Sequence, residues 1–386
     1  MDYNIITADT HMDVTWLPGD MFVKGAPDAL KNKMPYVSRN NGKAQWEIEG
    51  EFMCWVGGGG LTGAFGDYVP GESKHLDRMA EVGFFDGIKD GVYHPSDPDL
   101  RVKDLDIDGL DAEVIYGILG IGGGGFSGPG FKDQEVTAAI YDVYNEWIAE
   151  FTSANPGRMK GLACIASHDP ERAAGQLKKA GELGLRGAEI NVGTMSKPVY
   201  HKAWDPLWAT AAEYQMPISF HTLGVPHRKP DAADEDDYRW LDVTLGYTLF
   251  QLSGAEFLCS IVLSGACERH PDFNFVLGEC GIGWIPYVIE RVDEEYDDRG
   301  FHMGYPMKPS EYWRRQGYST FQNEYVSVDQ IERIGLDNIM WGNDYPHPDG
   351  VFPDSKKALE DGLGHLPADI RRKIVCENAV KAYKFN

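Results

Sequence analysis

Four segments of this sequence end in side chains suited to holding a metal ion. Asp9-Thr10-His11 follows an apolar run near the N-terminus, and His221 follows Pro217–Phe220. Glu279 comes just after Phe275–Leu277, and Asp344 and His347 after Asn338–Trp341. Imidazole nitrogens with carboxylate oxygens are the donor set of divalent zinc, manganese or iron. A metal so held lowers the pKa of bound water to about 7, and an adjacent carboxylate can then take its proton. The i, i+2 spacing of Asp9 and His11 points both side chains to one face of an extended strand end.

Residues so far apart in sequence meet only if a regular fold gathers the strand ends. Short apolar or β-branched runs recur at Asn4–Ala8, Glu113–Tyr116, Leu162–Ala166, Gly187–Ile190, Pro217–Phe220, Phe275–Leu277, Glu324–Val328 and Asn338–Trp341. Helical stretches lie between them. Glu135–Ala154 repeats apolar residues at helical spacing, and Asp169-Pro170 and Asp205-Pro206 each open a helix as cap followed by proline. Strand and helix in alternation predict a parallel sheet with helices outside it, here a (β/α)8 TIM barrel whose strand C-termini share one rim. The irregular stretch 16–100, rich in proline, glycine and aromatics, is a long insertion after the first strand that would lie over the barrel mouth. No repeat or low-complexity linker divides the chain, so 1–386 reads as a single domain.

The 386 residues carry 36 Lys+Arg against 60 Asp+Glu, a formal net charge of -24. Nucleic-acid binding relies on Lys and Arg at phosphates, and an anionic membrane repels such a chain, so neither partner is expected. Met1-Asp2-Tyr3-Asn4 has no basic leader region, and no run approaches the ~18 apolar residues of a membrane span. The expectation is a cytoplasmic enzyme. Its six scattered cysteines read as reduced, mostly buried thiols.

Other chemistries fail on their residues. Ile121–Gly130, IGGGGFSGPG, has loose G-x-G matches, but Pro129 and Phe131 stretch the turn and no Lys-Ser/Thr follows. It reads as a flexible active-site loop. No G-x-S-x-G elbow is present. His94, His168, His227, Arg228 and His302 read as loop or capping residues, Trp284 as core, and Trp16 and Trp55 as packing or the mouth of an apolar pocket.

The segments TADTHMD, PISFHTLG, ERHPDFNFVLGECGIGWIPYVIERVDE, IMWGNDYPHPDG and CENAVKAYKF, supported by VKDLDIDGLDAEVIYG, resemble the amidohydrolase-related branch of the amidohydrolase superfamily. The resemblance covers most of the chain from Arg101 onward together with the first strand. It implies a TIM barrel with one catalytic metal, held here by Asp9, His11, His221 and Asp344, with Asp344 also the base for metal-bound water. One position departs. Glu279 stands where decarboxylases resembling γ-resorcylate and aminocarboxymuconate-semialdehyde decarboxylase carry a catalytic histidine, and an anion there would repel a substrate carboxylate. The GECGIGW and NDYPHPDG forms are similar to a sub-branch that includes two-metal hydroxylases such as the 2-aminoisobutyrate hydroxylase components. Glu279 and His347, with Asp13 nearby, would then bind a second ion. The expectation is thus a metal-dependent hydrolase of a small molecule, with zinc as first choice and manganese or iron as alternatives. Glu279 would be its second acid/base or a ligand. Nonoxidative decarboxylation, and oxygen-dependent hydroxylation or a structural paralogue role, are the alternatives. The resemblance also implies a homodimer or an assembly with a paralogue.

Overall fold

The computed structural model describes residues 2–57, 68–71, 73–118, 133–222, 241 and 244–385. The IGGGGFSGPG loop, His227 and Arg228 lie outside them.

The central element is a ring of parallel strands. They are β1 (Ile6–His11), β5 (Ala112–Tyr116), β6 (Met159–Gly161), β7 (Ala163–Ile165), β8 (Ala188–Ile190), β9 (Ile218–His221), β10 (Phe275–Gly278), β11 (Gly317–Phe321) and β12 (Ile339–Trp341). Their order is β1-β5-β6 and β7-β8-β9-β10-β11-β12. β6 and β7 are one strand interrupted at Leu162, where bonding passes from β5 to β8: Leu162 N donates to Ile115 O and Ala163 N to Gly187 O. The ring closes just past β12, through a parallel bridge between Thr10 and Tyr345. These strands are buried along nearly their whole length, as parallel strands covered by helices must be. The result is a (β/α)8 barrel.

The closure depends on a missing side chain. A Cβ on Gly342 would lie 2.4 Å from the Asp9 Cβ and 3.1 Å from its backbone nitrogen. Gly342→Ala therefore pushes β1 away from the β12 end. Overpacking costs about 1–3 kcal/mol, so differential scanning calorimetry should show a melting temperature several degrees lower.

The expected helices form, and one of the two expected caps is in place. Asp133 caps Gln134–Ser153, and Asp169 caps Pro170–Glu182 by accepting from Glu171 N and Arg172 N. Asp205–Tyr214 starts at the expected Asp-Pro pair, but Asp205 is its first helical residue and not its cap; Trp204 holds the cap position with no side-chain cap hydrogen bond. Two further expectations are corrected. The seventh barrel strand is Gly317–Phe321, not Glu324–Val328, because Ser327 caps the helix Val328–Ile334 in a capping box with Gln330. The stretch Thr244–Leu263 also has the length and, at a mean hydropathy of 1.2, the apolarity of a membrane span, contrary to the expectation that none does. A 3₁₀ turn at Phe250–Ser253 breaks it, and Leu258, Ile261 and Val262 bury in the barrel core.

The described part of the insertion contains an antiparallel sheet of β2 (Tyr36–Asn40), β3 (Lys43–Ile48) and β4 (Glu51–Trp55). Trp46 is fully buried against Phe22, and Trp16 is fully buried beside Phe84. Packing, not a pocket mouth, accounts for Trp16. The six cysteines are unpaired, with Cys54 and Cys259 half-buried and the rest buried.

Candidate metal centre

The strand ends bring the expected side chains together. β1 extends farther than expected, so Asp9 and His11 lie on the strand itself, and β9 likewise runs through His221. His11 Nε2 is 2.9 Å from Asp344 Oδ1 and 3.4 Å from Asp9 Oδ1. His221 Nε2 is 3.8 Å from Asp9 Oδ1 and 3.4 Å from Glu279 Oε2. His347 presents Nδ1 to Asp344 Oδ1 at 3.0 Å and Nε2 to Asp13 Oδ2 at 3.2 Å. The His11 ring stacks on His347 and meets His221 edge-on. Among the described residues two buried donor groups result, Asp9/His11/His221 and His11/Glu279/Asp344/His347, each with its ligand atoms within 4.8 Å of one another.

Local structure aims these atoms inward. The Nδ1–H of His221 is positioned to donate to Thr222 O at 3.1 Å, which leaves the Nε2 lone pair facing the cluster. Asp9 commits Oδ2 to Glu279 N and the Thr320 hydroxyl, at 2.8 and 2.6 Å, and so turns Oδ1 inward. Glu279 and Asp344 have φ of 51° and 56°. The other described non-glycine residues of positive φ sit in hairpin turns (Asn41, Glu49) or at helix ends (Gln215, Lys384). Left-handed backbone costs a non-glycine residue about 1–3 kcal/mol, and such strain gathers at functional sites.

The donors fit a divalent cation. Asp9 Oδ1, the Nε2 atoms of His11 and His221, and both Asp344 oxygens are buried, and none has an aligned hydrogen bond among the described residues. Each buried unsatisfied group costs about 1–3 kcal/mol, and a cation at their focus satisfies all of them. Electrostatics agree. Burial pushes the Asp9 carboxyl up, but His11 and His221 outweigh it and hold it at about 2. Burial likewise opposes ionisation of Asp344, yet the charge of His347 and the contact with His11 hold it well below the carboxylate range. His11 is pulled down by burial and by His347, then raised to about 9 by Asp344 and Asp9. Burial and the charge of Asp344 raise Glu279 well above its usual range, and the same two causes raise Asp349 to about 7.

Several participants escaped the sequence reading. Thr320 lies on the misplaced seventh strand, and Gln322, whose Nε2 donates to Glu279 Oε1 at 3.2 Å, just follows it. Asp349, with a buried unpartnered Oδ1 among the described residues, lies within the quoted NDYPHPDG segment. His168 pairs with Glu135 instead, and His94 is buried against Asp104, and His302 is exposed. Trp284 is half-buried against the core, and Trp55 is half-buried with Lys43 over its ring.

Comparison with known proteins agrees with the barrel. The chain is 29% identical over 261 residues to a gamma-resorcylate decarboxylase of Polaromonas sp. strain JS666, covering 63% of this chain and 75% of that relative. Its fold is similar to an amidohydrolase of Mycobacterium avium subsp. paratuberculosis K-10, with TM-score 0.73, 19% identity, 99% of this chain and 100% of that chain covered. It is also similar to a dihydroxybenzoic acid decarboxylase from Polaromonas sp. JS666 with bound manganese and the inhibitor 2-nitroresorcinol. There the TM-score is 0.60 and the identity 22%, with 81% of this chain and 94% of that chain covered. The model of the family described as Amidohydrolase matches residues 122–385, and this chain belongs to that family.

Proposed function

We propose that this chain is a metal-dependent lyase that removes the carboxyl group of a small hydroxylated aromatic acid as CO2, without an oxidant. The likeness to gamma-resorcylate decarboxylase supports this order of preference over the hydrolysis expected first from sequence. The observation that carries the reading is the position of Glu279. Its Oε1 accepts from Gln322, while Oε2 faces the donor cluster 3.4 Å from His221 Nε2. A carboxyl buried this deeply beside Asp344 favours its proton, so it serves as a donor and does not repel an anionic substrate.

Asp9, His11, His221 and Asp344 would hold the cation. When bound, it supplies a Lewis-acid anchor for substrate oxygens. The chain's own residues then move one proton. Glu279 Oε2 gives it to the ring carbon bearing the carboxyl group; the bond from that carbon to the carboxyl carbon breaks, and its electron pair restores the aromatic ring as CO2 leaves. Glu279 regains a proton from solvent. Trapped CO2 and the decarboxylated phenol should appear when manganese- or zinc-loaded protein is given γ-resorcylate or related hydroxybenzoates. Hydrolysis of amides or lactones, with no CO2 from any benzoate, would overturn the reading.

The second donor group favours a second reading. His11, Glu279, Asp344 and His347, with Asp13 behind His347, suit a second cation beside the first. Hydrolysis with Asp344 as base, or oxygen-dependent hydroxylation, would then follow. Two metal atoms per chain by elemental analysis, with oxygen consumed in the second case, identify it.

A further inference from the structure

The helix that leads out of the insertion, Pro98–Asp108, turns a charged face inward. Arg101, Asp104 and Asp108 are buried and spaced i, i+3, i+7, which places them on one side of the helix. The fully buried Arg101 makes a forked pair with Glu113 of β5, Nε to Oε1 at 2.7 Å and Nη2 to Oε2 at 2.8 Å. Its remaining donors reach β1: Nη2 to the Thr10 hydroxyl at 2.9 Å and Nη1 to the His11 carbonyl at 2.9 Å, with Pro95 O also in range at 3.1 Å. Its guanidinium lies over the Tyr345 ring, 5.0 Å from the centroid. Asp104 accepts from the Tyr345 hydroxyl at 2.7 Å and contacts His94 Nδ1 at 2.9 Å. Tyr345 in turn gives its carbonyl to His11 N at 2.6 Å. Asp108 accepts from Asn343 Nδ2 at 2.9 Å and from Ser355 N at 2.9 Å.

The three acidic and basic residues therefore touch the backbone or immediate neighbours of His11 and Asp344. A buried ion pair is weak evidence for stability, since apolar residues of similar volume often do as well. What the Arg101 fork supplies is geometry: one planar group fixes Glu113, Thr10 and the His11 carbonyl at once. We propose that Arg101, Asp104 and Tyr345 are positioning residues that clamp the β1 and β12 ends so that the His11 and Asp344 side chains share one focus. The helix that leads from the insertion back to the barrel thus sets the metal site from behind. This rests on the reading of His11, Asp344 and His221 as metal ligands.

Cobalt(II) titration of metal-free protein tests it, read by the visible absorption of the bound ion and by the melting temperature of the metal-free form. Arg101→Lys keeps the charge but cannot span all three partners, and Tyr345→Phe removes one hydroxyl from a buried ring. Each should weaken cobalt binding on the order of 10–100-fold, the usual effect of losing a partner that orients ligands, and should alter the visible spectrum. Tyr345→Phe should leave the melting temperature of the metal-free form nearly unchanged. Wild-type affinity and spectrum in both variants, with effects only on melting, would reduce the clamp to a structural role and overturn the inference. His221→Ala in the same titration keeps the two readings apart. If it binds cobalt as wild type does, the ligand assignment falls and the clamp with it; if it loses cobalt while both clamp variants do not, the clamp alone falls.

Discussion

Protein carrying His221→Ala should purify without metal, fail to take up manganese, zinc or cobalt after chelation, and show no activity above background. His221 supplies one of the inward nitrogens, and its Nδ1 is held by Thr222 O so that Nε2 faces Asp9 and Glu279. Alanine leaves Asp9, His11 and Asp344 but removes a neutral donor from a cluster dominated by carboxylates. Losing an outer partner costs a metal site on the order of 10–100-fold, and losing a ligand should cost more. A fully metallated and active variant would sink the assignment. The wild-type titration carries its own check. His11 is raised to about 9 by Asp344 and Asp9, so at neutral pH metal must displace its proton. Affinity should therefore rise with pH toward about 9 and fall below it, with protons released on binding.

Much of this site was legible because a barrel converts sequence position into rim position. Asp9, His11, His221, Glu279 and Asp344 each end an apolar run, and parallel strands buried on both faces read as apolar runs. The misplaced strand shows where that signal stops. Gly317–Phe321 carries Ser319 and Thr320, whose buried hydroxyls bond Gly281 O and Asp9. Two buried polar residues weakened its apolar pattern, while Glu324–Val328 looked more strand-like. Ser327 with Gln330, a capping box, marked that stretch as the approach to a helix.

The insertion had a readable signal too. Asn41-Gly42 joins β2 to β3 with φ of 51° and 85°, the conformation that favours Asn-Gly in two-residue hairpins. Glu49-Gly50 repeats the geometry before β4, with φ of 50° and 81°. The Arg101 network had none. Its partners come from β1, β5, the turn holding Pro95 and the loop after β12, and a lone arginine on an acidic helix resembles any solvated face until the fold buries it.

Glu279→Gln should keep the cation bound through Asp9, His11, His221 and Asp344 while turnover falls by about 10²–10⁴, the usual contribution of a positioned proton donor. The change is nearly isosteric, and an amide oxygen can still accept from Gln322, so the loop after β10 should hold its shape. What goes is the proton at the position facing His221. Because substrate binding depends little on that proton, the loss should appear in kcat more than in KM. Metal content separates the readings. One atom per chain in both wild type and variant, with slow turnover, fits Glu279 as proton donor. Two atoms in wild type and one in the variant make it a ligand and favour the two-cation chemistry. Unaltered turnover removes Glu279 from the mechanism. The carboxyl would then be a buried group held only by its neighbours, at the cost of burial and a left-handed backbone.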